Sequence, residues 1–105
     1  SAKAGADPAR VRQALMGGFA ASRILEVHGE RMIKRTFNPG FRIELHQKDL
    51  KLALEGASAL GLSLPHTASA LQMMNSCAAN GGAQLDHSSL VRALEIAANF
   101  QVAQA

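Results

Sequence analysis

Tryptophan and tyrosine are absent from this chain, and only four phenylalanines stand in its 105 residues. β-Branched residues are also few beside alanine, leucine, methionine, glutamine, arginine and glutamate. These shortages remove the side chains that favour pleated, half-buried surfaces and leave the good helix formers. The expectation is an all-α fold with almost no sheet. A single cysteine, Cys77, excludes an internal disulfide and gives no sign of a stapled secreted scaffold, which makes a reducing cytoplasm the default compartment. No apolar run approaches the roughly 20 residues that cross a bilayer, and nothing resembles a signal peptide. No membrane association is expected.

What is present suits one helical domain over residues 1–105, since 48% of the chain is hydrophobic and a chain of this length has room for one core. Charge is unevenly spread. Residues 1–51 carry ten of the eleven basic groups against five acids, a net +5, and residues 52–105 carry one arginine against three acids, a net −2. The densest basic stretch, "ERMIKRTFNPGFR", places Arg31, Lys34, Arg35 and Arg42 close together. That is a phosphate-facing patch or the wet end of a helix, and solvated helix ends are the commoner outcome. It falls short of a nucleic-acid footprint, and no nucleic-acid-binding module accompanies it.

Glycines, prolines and cap residues cut the chain into five helices. Asp7 as N-cap and Pro8 at the first helical position open one that carries Val11, Ala14 and Leu15 and stops at Gly17-Gly18. From about Ser22 to Arg35, Ile24, Leu25, His28 and Met32 form a buried stripe. "NPG" at 38–40 is a turn. A third helix is expected from about Phe41 to Leu60, with Gly61 as its C-terminal cap. Its core face is Leu50, Ala53, Leu54, Ala57 and Leu60. A fourth begins near Pro65 and ends at "ANGG". A fifth, capped by Asp86, carries Leu90, Val91, Leu94 and Ala98. In front of them all, "AKAG" reads as the last turn of a helix with its glycine cap, as though the chain were cut from something longer.

On the third helix Phe41, Leu45, Lys48 and Leu52 fall at i, i+4, i+7 and i+11, so Lys48 interrupts an apolar row. Arg42, His46 and Asp49 line the adjacent one. A lysine so placed either snorkels outward along its aliphatic stem or meets an anionic or polar ligand at the mouth of a cleft. The remaining candidates are weaker. His28, His46, His66 and His87 have no spacing that suits a metal site and are expected at the surface or as caps, so no metal is expected. Ser88 and Ser89 read as first-turn residues behind Asp86, Met73 and Met74 as core or helix-contact residues, and Cys77 as a small buried hydrophobe.

Two stretches, "RTFNPGFRIELHQKDLKLALEGASALGLSLPHTA" and "MNSCAANGGAQLDHSSLVRALE", resemble the C-terminal helical domain of the β-hydroxyacid dehydrogenases, a bundle like that of 6-phosphogluconate dehydrogenase-type enzymes. The most specific marks are F-x-P-G-F at Phe37–Phe41, KDL at Lys48–Leu50, LP at Leu64-Pro65 and G-x-x-x-D-x-S at Gly82–Ser88. The resemblance covers nearly the whole chain from Ala4 onward. It implies a two-domain NAD- or NADP-dependent oxidoreductase that moves hydride between the nicotinamide and a small hydroxy acid or semialdehyde. The partner would be an N-terminal dinucleotide-binding domain of the same polypeptide, joined through a connecting helix. The helical domain would close the cleft and supply contacts for a homo-oligomer, a dimer or tetramer.

By the same resemblance Lys48 matches the family's cofactor-contacting lysine, and Asp49 and Phe41 match positions lining the same cleft. The general acid/base lysine and the glycine-rich loop lie outside these 105 residues, so none of the catalytic residues is here and the chain alone is expected to be inactive. The competing reading is a free-standing helical interaction module in which Lys48 and Asp49 form a solvated pair. The half-turn before Gly5 favours the first.

Overall fold

The computed structural model describes residues 1–104. Five α-helices follow in order: α1 Pro8–Met16, α2 Arg23–Lys34, α3 Ile43–Ala59, α4 Pro65–Cys77 and α5 Val91–Ala98. A short 3-10 turn over Ala2–Ala4 precedes them, a π-type turn over Ala78–Gly82 ends α4, and a 3-10 turn over His87–Leu90 leads into α5. Among the described residues the only β-type pairing is one antiparallel bridge between Arg42 and Asp86. The all-helical expectation holds.

Local caps fix several of the helix ends. The Asp7 carboxylate accepts the Arg10 N–H at 3.1 Å with Pro8 just inside α1, and the Ser22 hydroxyl accepts the Leu25 N–H at 2.9 Å. Each satisfies a backbone donor that the first helical turn leaves without a partner. α3 ends in a paired C-terminal motif: Leu62 N–H donates to Ala57 at 2.8 Å and Gly61 N–H to Ser58 at 3.1 Å. That geometry needs a left-handed residue after the cap, and Gly61 supplies it at φ +70°. The "AKAG" reading also stands locally, with Gly5 left-handed behind the Ala2–Ala4 turn.

α3 packs chiefly on α4, and α1 on α2. The core is small. Ile43, Met74, Cys77 and Ala93 form its buried centre, with Leu50, Ala78 and Leu90 packed against it. Cys77 is 1% exposed, as a small core hydrophobe, and Gly82 lies so close to it that an added Cβ would come within 2.9 Å of the Cys77 carbonyl oxygen.

Three expected apolar faces are narrower or differently phased than the sequence suggests. Ile24 opens the α2 stripe but stands exposed at 66%, and Leu25, His28 and Met32 are only half-buried. On α3, Leu50 and Ala57 face inward, whereas Ala53 and Leu60 are exposed. On α5 the buried residues are Ala93 and Glu95 while Leu94 is exposed. The 3-10 turn at His87–Leu90 advances each residue by about 120° instead of about 100°, which rotates the following helix out of the phase that a single continuous α-helix would have.

The radius of gyration, 14.9 Å, exceeds the roughly 13 Å of a compact domain of this length. Several large apolar side chains are left in solvent. Leu60, Leu62, Leu64, Met73, Leu94 and Ile96 are all exposed, and a cavity of about 500 Å³ opens beside Met73 and Leu94 between α4 and α5.

Candidate functional site

The site begins with the way α3 is launched. Its N-cap, Arg42, makes no side-chain cap. Instead the turn before Asp86 receives the first helical donors: Ile43 N–H bonds to the Leu85 carbonyl at 2.9 Å and Glu44 N–H to that of Ala83 at 3.1 Å. Asp86 completes the junction. Its fully buried carboxylate accepts the backbone N–H groups of Gly40 at 2.8 Å and Phe41 at 3.0 Å, the Arg31 guanidinium at 2.8 Å, and both the N–H and the hydroxyl of Ser88. In return, Asp86 N–H donates to Phe37 at 2.9 Å and His87 N–H to Phe41 at 2.7 Å. The F-x-P-G-F turn and the G-x-x-x-D-x-S segment are therefore two halves of one hydrogen-bonded unit.

That unit sets the register of α3. Ile43, Leu50 and Ala57, seven residues apart, face inward. Lys48 lies five residues after Ile43, about 140° round the helix at about 100° per residue, and it is exposed, as is Asp49. Leu45 is half-buried and Leu52 is 58% exposed, so Lys48 stands on a partly apolar outer strip. Gln47, between them, donates to Asn75 at 2.8 Å and locks α3 to α4.

Phe41 departs from the expected stripe. It precedes the first turn of α3, and its ring packs against His46 at 5.9 Å and His87 at 5.4 Å between centroids. A residue outside the helix does not follow helical spacing, which is why the row Phe41–Leu45–Lys48–Leu52 loses its first member.

Three of the four histidines are not at the surface as expected. His28 from α2, His46 from α3 and His87 from the turn before α5 are half-buried together, with His28 and His87 edge-to-face at 4.5 Å and the Nδ1 atoms of His46 and His87 at 3.3 Å. Only His66 stays exposed. Burial pushes the His87 pKa down; Asp86 opposes this, while His28, His46 and Arg31 add to it. At Asp86, burial alone raises the pKa, but the Ser88 hydroxyl and the amides of Phe41, Ser88 and Gly40 outweigh it and hold the carboxyl far below its ordinary range.

The basic stretch is neither a free phosphate patch nor simply a wet helix end. Arg31 is held by Asp86, Lys34 by Glu30 at 2.8 Å and Arg42 by Glu44 at 3.3 Å. Arg35 makes a two-pronged pair with the buried Glu95, at 2.7 and 2.9 Å, and Glu95 also accepts the Val102 N–H at 2.8 Å. Sequence reasoning gave Asp86 only a capping role and passed over Glu95. The available signal was a carboxylate inside an apolar run, "LVRALEIAANF", with a surplus of arginine elsewhere to pair with it.

The family model described as "NAD-binding of NADP-dependent 3-hydroxyisobutyrate dehydrogenase" matches residues 1–94. Over 98% of its length the chain is 73% identical to 2-hydroxy-3-oxopropionate reductase of Escherichia coli (strain K12), of which it covers 35%. Over 95% of its length it is 37% identical to probable 3-hydroxyisobutyrate dehydrogenase-like 1, mitochondrial, of Arabidopsis thaliana, covering 30% of that protein. The chain thus spans about a third of the length of these curated relatives. Matched across 94 residues, it belongs to the hydroxyacid dehydrogenase family, in the segment described as the NAD-binding region of NADP-dependent 3-hydroxyisobutyrate dehydrogenase.

Proposed function

We propose that this chain is the cleft-closing, subunit-contacting domain of an NAD(P)-dependent 2-hydroxy-3-oxopropionate (tartronate semialdehyde) reductase, which interconverts tartronate semialdehyde and glycerate. The observation that carries this reading is the 73% identity over 98% of the chain to a reductase of that name. The same domain of a 3-hydroxyisobutyrate dehydrogenase-like enzyme is the second reading, supported by the 37% identity to the plant relative. Under either, a dinucleotide-binding domain of the same polypeptide supplies the phosphate loop and the proton-transfer lysine, and the enzyme is cytoplasmic.

The residues present fit a dinucleotide approached from one side only. Lys48 is exposed on the outer strip of α3 beside Leu52, and none of the ion pairs among the described residues involves it. Its ammonium would donate to a polar group of the cofactor, with the apolar flank excluding water. Asp49 would accept from a hydroxyl or amide lining the cleft. Phe41, held by Asp86, would fix the position at which α3 enters. The nicotinamide, when bound, carries the hydride. The exposed apolar residues Leu60, Leu62, Met73 and Leu94 are assigned to the contact with the second subunit, because exposed apolar surface drives association. No helix among the described residues is long and apolar enough to cross a membrane.

The test is a substrate comparison with the full-length enzyme. NAD+ or NADP+ reduction with glycerate should exceed, in kcat/KM, that with 3-hydroxyisobutyrate by at least about 100-fold, a margin of roughly 2.7 kcal/mol. The opposite order would establish the second reading.

A further inference from the structure

We propose that Gln47 and Asn75 are a positioning pair that aims Lys48 at the dinucleotide, an inference that rests on the cofactor reading of Lys48 given above. Gln47 Nε2 donates to Asn75 Oδ1 at 2.8 Å across the seam between α3 and α4, partly out of solvent. Among the described residues it is the one side-chain hydrogen bond that joins these two helices.

The place of Gln47 on α3 carries the argument. At about 100° per residue it stands about 40° from Ile43 and about 60° from Leu50, so an amide lies within the face that these two residues turn inward. Its partner follows Met74 on α4, which is 2% exposed. Ile43, Leu50 and Met74 belong to one apolar cluster, and apolar contacts attract without direction, so they tolerate a small turn or slide of α3. The amide pair does not. A displaced helix leaves a part-buried donor and acceptor unpaired, which costs more than the bond itself contributes, and a lone polar pair in an apolar seam is a known way to fix helix register. The other anchors of α3 lie nearer its start, where Ile43 and Glu44 meet the turn before Asp86 and Gln84 donates to Glu44 at 2.9 Å. They set where α3 begins, and Gln47 sets how it is turned.

Lys48 is the next residue, about 100° round the helix and about 1.5 Å along it. No ion pair among the described residues holds its ammonium, so its position follows from the backbone of α3. Side chains reach about 5–6 Å from a helix axis, and a turn of about 10° therefore carries such a tip about 1 Å sideways. A shift of that size weakens a charge-assisted hydrogen bond and is felt in a preorganised site. The flexible stem of the lysine absorbs part of the shift, so loss of the pair should cost less than loss of the ammonium.

The experiment is equilibrium binding of NADH and NADPH to the full-length enzyme, read by the fluorescence of the reduced nicotinamide, beside steady-state kinetics. Gln47→Met and Asn75→Leu should each raise the cofactor Kd and KM about three- to tenfold, the effect of one hydrogen bond, with kcat within about twofold of the parent. In a Lys48→Ala background neither should add more than about 1.5-fold, because no ammonium remains to be aimed. Gln47→Asn alone shortens the bridge and should weaken binding, whereas Gln47→Asn with Asn75→Gln keeps both amides and the length between them and should restore parent affinity. Asp7→Ala, which destabilises through the exposed cap of α1, should leave the Kd unchanged. Gln47→Asn and its exchange partner carry the test if Gln47→Met fails to fold. A parent-like Kd in Gln47→Met and Asn75→Leu, or an undiminished effect in the Lys48→Ala background, would overturn the inference and leave the cofactor role of Lys48 standing. A parent-like Kd in Lys48→Ala would remove that role, and the positioning pair with it.

Discussion

Asp86 Oδ1 takes the Phe41 N–H at 3.0 Å while the Phe41 carbonyl takes the His87 N–H at 2.7 Å. Residues 45 positions apart thereby hold the start of α3 between them. Asp86→Asn puts an amide donor among groups that all donate and leaves the Arg31 guanidinium without its counter-charge. A loss of about 3 kcal/mol is expected, within the range for breaking a buried pair. Asp7→Ala, which removes only the exposed cap of α1, should cost about 1 kcal/mol. Urea unfolding of the two variants measures the difference, and equal costs would reduce Asp86 to an ordinary cap.

Acid should unfold the protein through its buried carboxylates. Burial alone raises the Glu95 pKa, but the Arg35 hydrogen bonds and the Val102 N–H bring it below its ordinary 4.5, and Asp86 is lowered from 3.8 in the same sense. A folded-state pKa below the unfolded one gives stability that is present above the unfolded value and lost as pH falls through the folded one. The carboxylate loss should therefore set in below about pH 5, on top of an earlier decline that begins below the ordinary 6.5 of His87, whose lowered folded-state pKa lets the unfolded chain take up the proton first. Denaturant midpoints between pH 3 and 7 report it, and Glu95→Gln should flatten the decline while lowering the neutral plateau.

The Arg35–Glu95 pair is a separate clamp between the end of α2 and α5. Arg35 holds a left-handed backbone, φ 55°, and its side chain is 15% exposed against 6% for Glu95. Removing either partner leaves a buried charge unpaired, so Arg35→Ala or Glu95→Ala should each cost about 3–5 kcal/mol. The double variant Arg35→Met/Glu95→Leu should recover much of the loss, because well-packed apolar groups replace buried ion pairs at little cost. Thermal melts of the three proteins decide it, and a double variant as unstable as the singles would show that the pair does more than neutralise itself.

Lys48 separates a cofactor contact from a snorkelling side chain. In the full-length enzyme Lys48→Ala should raise the cofactor KM or depress turnover about ten- to a hundredfold, the loss of one charge-assisted hydrogen bond, with Tm nearly unchanged because the side chain is exposed. Lys48→Arg should restore only part, since a planar fork does not reproduce a compact ammonium. Lys51, also exposed on α3, is the control. Steady-state kinetics showing equal and small effects at Lys48 and Lys51 would remove Lys48 from the site.

Local chemistry was legible in the sequence where the chain closes its own hydrogen bonds. Asp7 and Ser22 cap helices through donors three residues ahead, α3 ends at Gly61 through its own bond to Ser58 and that of Leu62 to Ala57, and the helix-forming composition excluded a sheet, because none of these depends on distant parts of the chain. The quoted motifs likewise marked the family without any geometry. Other features were decided only when the helices came together. Asp86 became the junction of the F-x-P-G-F turn because its carboxylate meets amides 45 and 46 residues away, Glu95 became a core residue because Arg35 reaches it from 60 residues off, and His28, His46 and His87 became neighbours although no spacing links them. Periodicity describes one helix at a time, so it has no term for where a second helix delivers a counter-charge or a ring, and the 3-10 turn before α5 changed even the phase that periodicity assumes.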